Sequence, residues 1–472
     1  MKEDNKIARR RFIGAGAALT GAALAGCTHN KPPARTAPTT PSRQEQPPAQ
    51  QAQDPQDGAP KIGKFNTLGR TGFLVSDISM GCGRIAEPDV VRYAFDHGIN
   101  YLDTAERYGN GASERTIGEA MPNLRRKELF ITTKLGVEPR EEAASIVQRL
   151  GECLQRLKTD HVDALYMHSV TDVAMIKHAG FHQAVAQLRA AGKVRFCGVS
   201  SHGPRAEEGN SMQEVLLAAV ADGRFDLMLL VYNYLNADAG GKVLAAAKEK
   251  NIGTTLMKTA PAVLKLPTLD PKALTDEQEQ LVTMLAGRGM DRAAALAYMQ
   301  KRYAYQRAEQ GKRQGDVDAF VARHGVKTED DLAHKSVQWV LQNPAVNTVC
   351  VSLPDFDALN AYLPLSNKPL SVAALRQLQA HAAASQDLHC RVGCTACAAA
   401  CPRALPTSTV MRYTYYFQQQ GQEKLAMQKY AALNRGDSPC AGCDGRPCRD
   451  ACPHGVDVQL QLAAAHQLLS LT

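Results

Sequence analysis

Residues 162–201 read VDALYMHSVTDVAMIKHAGFHQAVAQLRAAGKVRFCGVSS. Two short apolar runs, VDALYMHS and VRFCGVSS, flank HQAVAQLRAAG, whose apolar residues recur at helical spacing and which ends on a glycine. Strand, helix, strand in that order makes the two strands parallel, joined by a crossover. Working outward, the same unit recurs. VSDISMGCG, INYLDTA and LFITTKL come before it, FDLMLLVYN and GTTLMKT after it, and VNTVCVSL follows the helical DLAHKSVQWVLQNP. EEAASIVQRLGECLQRL and GKVLAAAKEKN are further intervening helical stretches. Eight units in series predict an α/β fold of the closed (β/α)8, or TIM-barrel, kind. An open doubly wound sheet is the second choice, disfavoured because no Gly-x-Gly-x-x-Gly follows the first strand.

Two segments stand outside the repeat. FNTLGRTGFLV reads as a hairpin that plugs the barrel floor. Residues 261–330 read as a charged, mostly helical insertion after the seventh strand, either a lid or a docking surface. The composition, 44% hydrophobic and 22% charged, is that of a globular protein. Its net charge of +8 is spread along all 472 residues, which argues against a nucleic-acid partner.

The N-terminus places Arg9 and Arg10 before Phe12-Ile13 and a small-residue apolar stretch, the order of a secretory signal. Arg-Arg-x-Phe-Ile resembles a twin-arginine signal, a route that carries folded proteins, and Leu24-Ala25-Gly26-Cys27 resembles a lipobox. A plain cleaved signal is the alternative. The expected boundaries are a signal peptide over 1–27, a flexible Pro/Gln/Ala-rich tether over 28–60, the barrel over 61–385 and a cysteine-rich domain over 386–472. The expected location is periplasmic or otherwise extracytoplasmic, with a lipid anchor at Cys27.

Catalytic groups in such a barrel come from the carboxyl ends of different strands. Those ends offer Asp103 after the second strand, Tyr108 in the following loop, Lys134 at the end of the third and His168 at the end of the fourth. Singly they read as a loop acceptor, a rim aromatic, a surface cation and a core histidine. Together they make an acid/base set. A tyrosine with its usual pKa of about 10 exchanges protons poorly at neutral pH, and a Lys134 ammonium beside it is expected to lower that value. Asp103 would hold Lys134 in place, and His168 would orient a carbonyl oxygen toward Tyr108. The reaction expected is carbonyl/alcohol interconversion on a small molecule.

LDTAERYGNGASERTIGEAM, TTKLG, LYMHS and GKVRFCGVSSH together resemble the aldo-keto reductase family over roughly residues 64 to 365. The resemblance implies that Asp103, Tyr108, Lys134 and His168 are the family's catalytic tetrad, with Tyr108 as general acid. It also implies a nicotinamide cofactor held near Ser200, Ser201 and Lys258. Here the chain departs from the family. Ser200-Ser201 stands for Ser-Asn, Leu229 for a Gln three residues before Tyr232, and Lys258 for a stacking tyrosine. SLPDFDALN after the eighth strand has no Lys or Arg, so a 2'-phosphate would meet Asp355 and Asp357, which disfavours NADPH. Whether NAD(P)H binds at all stays open.

The tail carries Cys390-x3-Cys394-x2-Cys397-x3-Cys401-Pro402 and Cys440-x2-Cys443-x4-Cys448-x3-Cys452-Pro453. Short spacings ending in Cys-Pro fit two [4Fe-4S] clusters, with zinc or disulfides as alternatives. With the long helical stretch between the runs, the tail resembles an α-helical ferredoxin, and the whole chain the iron-sulfur branch of the aldo-keto reductases. In two-cluster ferredoxins the last cysteine of each run serves the other cluster. That implies one cluster on Cys390, Cys394, Cys397 and Cys452 and another on Cys440, Cys443, Cys448 and Cys401. Cys153, Cys197 and Cys350 read as packing residues, and Cys82 sits at the mouth of the site with a reactive role open. The sequence therefore predicts an exported oxidoreductase, with a membrane-associated electron donor as a candidate partner. The competing class is an electron-transfer protein whose barrel is a docking scaffold with a vestigial site. In a third reading the clusters only staple the tail.

Overall fold

The computed structural model describes residues 59–203, 209–260, 270–274, 276–286, 290–301, 322–326, 329–384, 390–391, 393–419, 422–433, 440, 443, 445 and 447–470. The predicted export signal, lipobox and most of the tether lie outside the described residues. Among the described residues no helix is long and apolar enough to cross a membrane.

Eight parallel strands close into a barrel: β3 (Ile78–Gly81), β4 (Tyr101–Asp103), β5 (Phe130–Leu135), β6 (Val162–Met167), β7 (Val194–Ser200), β8 (Leu227–Val231), β9 (Gly253–Met257) and β10 (Thr348–Ser352). They run round the barrel in chain order and β10 pairs back onto β3, Val349 opposite Ile78. β5, β6 and β8 are buried at every position because helices cover the outside and side chains fill the inside. The covering helices present one apolar stripe each. In Ala143–Leu157 the buried residues Ile146, Leu150, Cys153 and Leu157 recur at three- or four-residue spacing. Burying a Leu or Ile this way contributes about 1.5–3 kcal/mol.

The interior is filled by aromatic rings. Tyr101 stacks on Phe130 with centroids 5.3 Å apart, and the hydroxyls of Tyr101 and Tyr166 lie 3.3 Å apart. Below them the predicted hairpin is present, β1 (Phe65–Thr67) pairing antiparallel with β2 (Leu74–Ser76). Its turn drives Leu68 into the same cluster as Tyr101, Phe130, Tyr166 and Leu227. Arg70 ties the turn to the floor, its N–H donating to the Asn251 carbonyl at 2.7 Å and its guanidinium to that of Lys250 at 2.9 Å. With the floor closed, access to the barrel is from the opposite, carboxyl end.

The described residues of the insertion pack with the C-terminal segment. Leu281 and Leu285 of the helix Asp276–Ala286, together with Met299, share one apolar core with Phe417 of the helix Thr407–Gln419, Met427 of Glu423–Ala431 and Leu469 of Val458–Leu469. The described part of the insertion is thus packed against the chain's own tail.

The cysteine-rich segment touches the barrel beside the end of β7. Gly203 and Gly393 both have positive φ, +84° and +82°, and a Cβ on Gly203 would lie 2.2 Å from the Gly393 Cα. Next to them the Met212 N–H donates to the Gly393 carbonyl at 3.4 Å. Only glycine allows two backbones to approach so closely. Gly203→Ala is expected to destabilise this contact by about 1–3 kcal/mol while the barrel stays folded. The measurement is limited proteolysis between residues 384 and 393 in variant and parent; equal cleavage rates would show that the glycine pair does not hold the segment down.

Candidate active site

Asp103 ends β4 and Lys134 sits near the end of β5, brought together by a register that sets Asp103 opposite Thr132. The Lys134 Nζ donates to Asp103 Oδ2 at 2.6 Å and to the Thr104 carbonyl at 2.7 Å. Thr132 Oγ1 donates to the other carboxylate oxygen at 3.1 Å. Lys134 is 0% exposed and Asp103 3%, so this is a buried, hydrogen-bonded ion pair. Tyr108 completes it, its hydroxyl 3.4 Å from Nζ and its ring 4.8 Å below the ammonium. His168 follows β6 and stands edge-on to Tyr108, with ring centroids 5.9 Å apart and planes at 82°. The structure thus brings all four predicted residues to one point at the carboxyl end.

The electrostatics differ from the sequence expectation in one respect. Burial pushes the Tyr108 phenol up to about 12; the Lys134 ammonium opposes this, and the Asp103 carboxylate adds to it. The predicted lowering is thus reversed, because the cost of a phenolate in a closed site exceeds what one neighbouring cation returns. For Lys134, burial acts to depress the ammonium, but Asp103 and then Tyr108 more than reverse this and hold it above its usual value. The pair is a fixed ammonium beside a protonated phenol.

Residues the sequence reading missed hold the loop in shape. Glu106 accepts from the Gly136 N–H at 3.1 Å and from Arg149 Nε at 3.1 Å, while its own N–H donates to the Lys134 carbonyl at 3.2 Å. Glu114, wholly buried, accepts from Thr133 Oγ1 at 2.5 Å and from Arg156 Nε at 2.6 Å. Both glutamates lie inside the quoted AERYGNGASE stretch, but their partners come from a later strand and helix, which spacing alone does not show. Cys350, read as packing, lies beside the ion pair, and burial, then Asp103, push its thiol well above its usual range. Cys82 is buried and directs its thiol to the Met80 carbonyl at 3.4 Å, and burial, then Asp103, push it well above its usual range.

A cleft of about 970 Å³ opens beside His168, walled by Arg107, Glu138, Arg140, Met167 and His178 among others. Tyr108 is not part of that wall. Ser200 and Ser201 are both fully buried. Ser200 Oγ accepts the Ser169 N–H at 2.8 Å, and Ser201 Oγ donates to the Val170 carbonyl at 2.7 Å. Both hydroxyls therefore brace the turn that follows His168. Lys258 follows β9 with φ +55° and points its ammonium at the helix Thr407–Gln419. Asp355 caps the helix Phe356–Tyr362, accepting from the Ala358 N–H at 2.8 Å.

The cysteines fall into two neighbourhoods. Cys390 feels Cys397, Cys394 and Cys452, and Cys440 feels Cys401, Cys448 and Cys443. Cys397 also feels Cys448, so the two neighbourhoods adjoin. Burial, then these neighbours, push Cys397 and Cys440 up to about 11. Gln459 spans the second run, its Nε2 donating to the carbonyls of Cys440 at 2.8 Å and Cys443 at 2.6 Å. Among the described residues no three His, Cys, Asp or Glu side chains converge as the ligands of a single metal ion. A four-iron cluster asks for something else, four thiolates held apart at its corners, and two adjoining sets of buried and half-buried thiols fit that demand.

A closed barrel with a Tyr, Lys, Asp and His set at its carboxyl end defines the class, an acid/base site of the oxidoreductase kind. Residues 86–383 match the Aldo/keto reductase family, and the chain belongs to that family. The match ends before Cys390. The uncharacterized oxidoreductase YqkF of Bacillus subtilis is 23% identical over 344 residues, covering 68% of this chain and 97% of that protein. Probable aldo-keto reductase 1 of Glycine max is 33% identical over 157 residues, 29% of this chain and 44% of that protein. The chain therefore spans less than half the length of that relative. Aldo-keto reductase AKR11C1 from Bacillus halodurans, in its holo form, is 19% identical, covers 67% of this chain and 95% of that one, and has a TM-score of 0.45.

Asp103→Asn leaves the Lys134 ammonium buried without its counter-charge. It should cost about 3–5 kcal/mol of stability, as removal of one partner of a buried pair does. Chemical unfolding followed by circular dichroism checks this, and an unchanged midpoint would mean that Lys134 is not charged in the folded protein.

Proposed function

We propose that the chain is an exported iron-sulfur oxidoreductase that interconverts a small-molecule carbonyl and its alcohol, with Tyr108 as the acid/base group. One observation carries the reading: a wholly buried ammonium, Lys134, fixed by Asp103 at 2.6 Å and within 3.4 Å of the Tyr108 hydroxyl. In the reducing direction Tyr108 gives its proton to the carbonyl oxygen as negative charge develops there. Lys134 steadies the phenolate left behind. The raised pKa suits this role, since the phenol stays protonated through the neutral range and an alkoxide is a stronger base still. His168, edge-on to Tyr108, orients the oxygen. Nicotinamide, when bound, would supply the hydride, with NADPH disfavoured by Asp355 and Asp357.

Two [4Fe-4S] clusters would pass single electrons, one held by Cys390, Cys394, Cys397 and Cys452, the other by Cys401, Cys440, Cys443 and Cys448. The company each cysteine keeps supports this crossed assignment over two separate runs. The twin-arginine-like and lipobox-like segments support export of the folded chain and anchoring through Cys27, where a membrane-associated donor could reach it. One observation favours the competing reading, a barrel that serves as a scaffold for the cysteine-rich segment. The hydroxyls of Ser200 and Ser201 are spent on backbone groups rather than turned to a cofactor.

Tyr108→Phe is expected to lower turnover of the responsive carbonyl by about 10²–10⁴-fold, with iron and acid-labile sulfide content unchanged. Parental activity in that variant would remove the mechanism. The pH dependence follows from the upward shift of Tyr108. Alcohol oxidation needs the phenolate, so its rate should keep climbing, about tenfold per unit, through roughly pH 8 to 10. Carbonyl reduction, which needs the phenol, should stay level over that range. A plateau in oxidation below about pH 9 would place the phenol under a stronger cation than Lys134 supplies.

A further inference from the structure

Lys258, which the family resemblance sets near a cofactor, has no part in the acid/base chemistry of the tetrad. Its backbone sits in the left-handed region at φ +55°, and two hydrogen bonds hold it there. Asn233 Nδ2 donates to the Lys258 carbonyl at 2.8 Å, and Ser336 Oγ donates to the Thr259 carbonyl at 2.6 Å. A lysine fixed in a strained turn is one whose side chain has an assigned direction. That direction is toward the helix Thr407–Gln419, where Nζ lies 5.1 Å from the Tyr416 ring and 5.7 Å from the Tyr415 ring. Nζ is closed off from solvent and, among the described residues, has no hydrogen-bond partner. Arg412 precedes those tyrosines by three and four residues on the same helix, so all three share one face. Arg412 is 7% exposed.

Two cations enclosed together need a counter-charge. Burial, and then the Arg412 guanidinium, push the Lys258 ammonium well below its usual range; a bound anion would offset both effects. The ring faces supply only part of that offset. The barrel gives one cation and the cysteine-rich segment the other, so the two meet only when the segments are docked.

We propose that Lys258 and Arg412 form a buried oxyanion site, walled by Tyr415 and Tyr416, that takes the carboxylate or phosphate group of a small molecule bound at the barrel mouth. Its position at the end of β9 puts such a molecule on the same face as Tyr108. Binding is read without turnover, so the site stands or falls separately from the carbonyl assignment.

The test is isothermal titration calorimetry of the full, cluster-loaded chain with inorganic phosphate and, separately, with succinate, compared across parent, Lys258→Met, Lys258→Arg and Arg412→Met. The expected result is saturable binding of at least one probe. It should weaken at least tenfold in Lys258→Met and in Arg412→Met and largely persist in Lys258→Arg. Preference for phosphate would assign the site to a phosphate ester or nucleotide, and preference for succinate to a carboxylic acid. Lys258→Met removes a buried amine that, among the described residues, has no hydrogen-bond partner, so the variant should unfold no more readily than the parent. Absence of binding of both probes to the parent, or equal binding by Lys258→Met and parent, overturns the proposal.

Discussion

A single buried cation sets the terms for the carboxyl end of this barrel. Lys134 is out of contact with water, and among the described residues the Asp103 carboxylate, the Thr104 carbonyl and the Tyr108 hydroxyl accept or share its hydrogen bonds there. Each of these groups needs its own support. Thr132 braces Asp103, the Glu106 N–H returns to the Lys134 carbonyl, and Arg149 steadies Glu106. An ion pair inside a protein stabilises little by itself and becomes costly when half of it is lost. That constraint leaves the loop after β4 little room to vary without losing the site.

The second organising contact is between barrel and tail. The insertion after β9 shares a core with the C-terminal helices, and Gly203 meets Gly393 at the end of β7. The cysteine-rich segment therefore sits over strand ends rather than trailing from the barrel. The clusters proposed for the tail would then lie close to the barrel mouth. Lys258, one of the departures from the family pattern, faces this segment.

Much of this was legible in the sequence, for identifiable reasons. Parallel strands buried on both faces write continuous apolar runs, so the eight strands could be read directly, and residues at their carboxyl ends gathered where the fold rules say they must. The hairpin read true because Gly69-Arg70-Thr71-Gly72 marks its turn. The pKa of Tyr108 was misread: the sequence places a cation beside the phenol but says nothing of how far water is excluded. Glu114 with Arg156, and Lys258 with Arg412, were invisible because each pair joins residues far apart in the chain. The insertion's role was equally hidden, since its apolar stripe does not say what covers it.

The central claim is that the tetrad performs carbonyl chemistry beneath an iron-sulfur module. Its most direct test mixes the anaerobic, cluster-loaded chain with a panel of aldehydes and either NADH or NADPH, with alcohol followed by mass spectrometry and the clusters by paramagnetic resonance. Alcohol should form, with NADH serving at least as well as NADPH. No alcohol with either donor, while the clusters still accept electrons, would contradict it and leave the barrel as a scaffold for electron transfer.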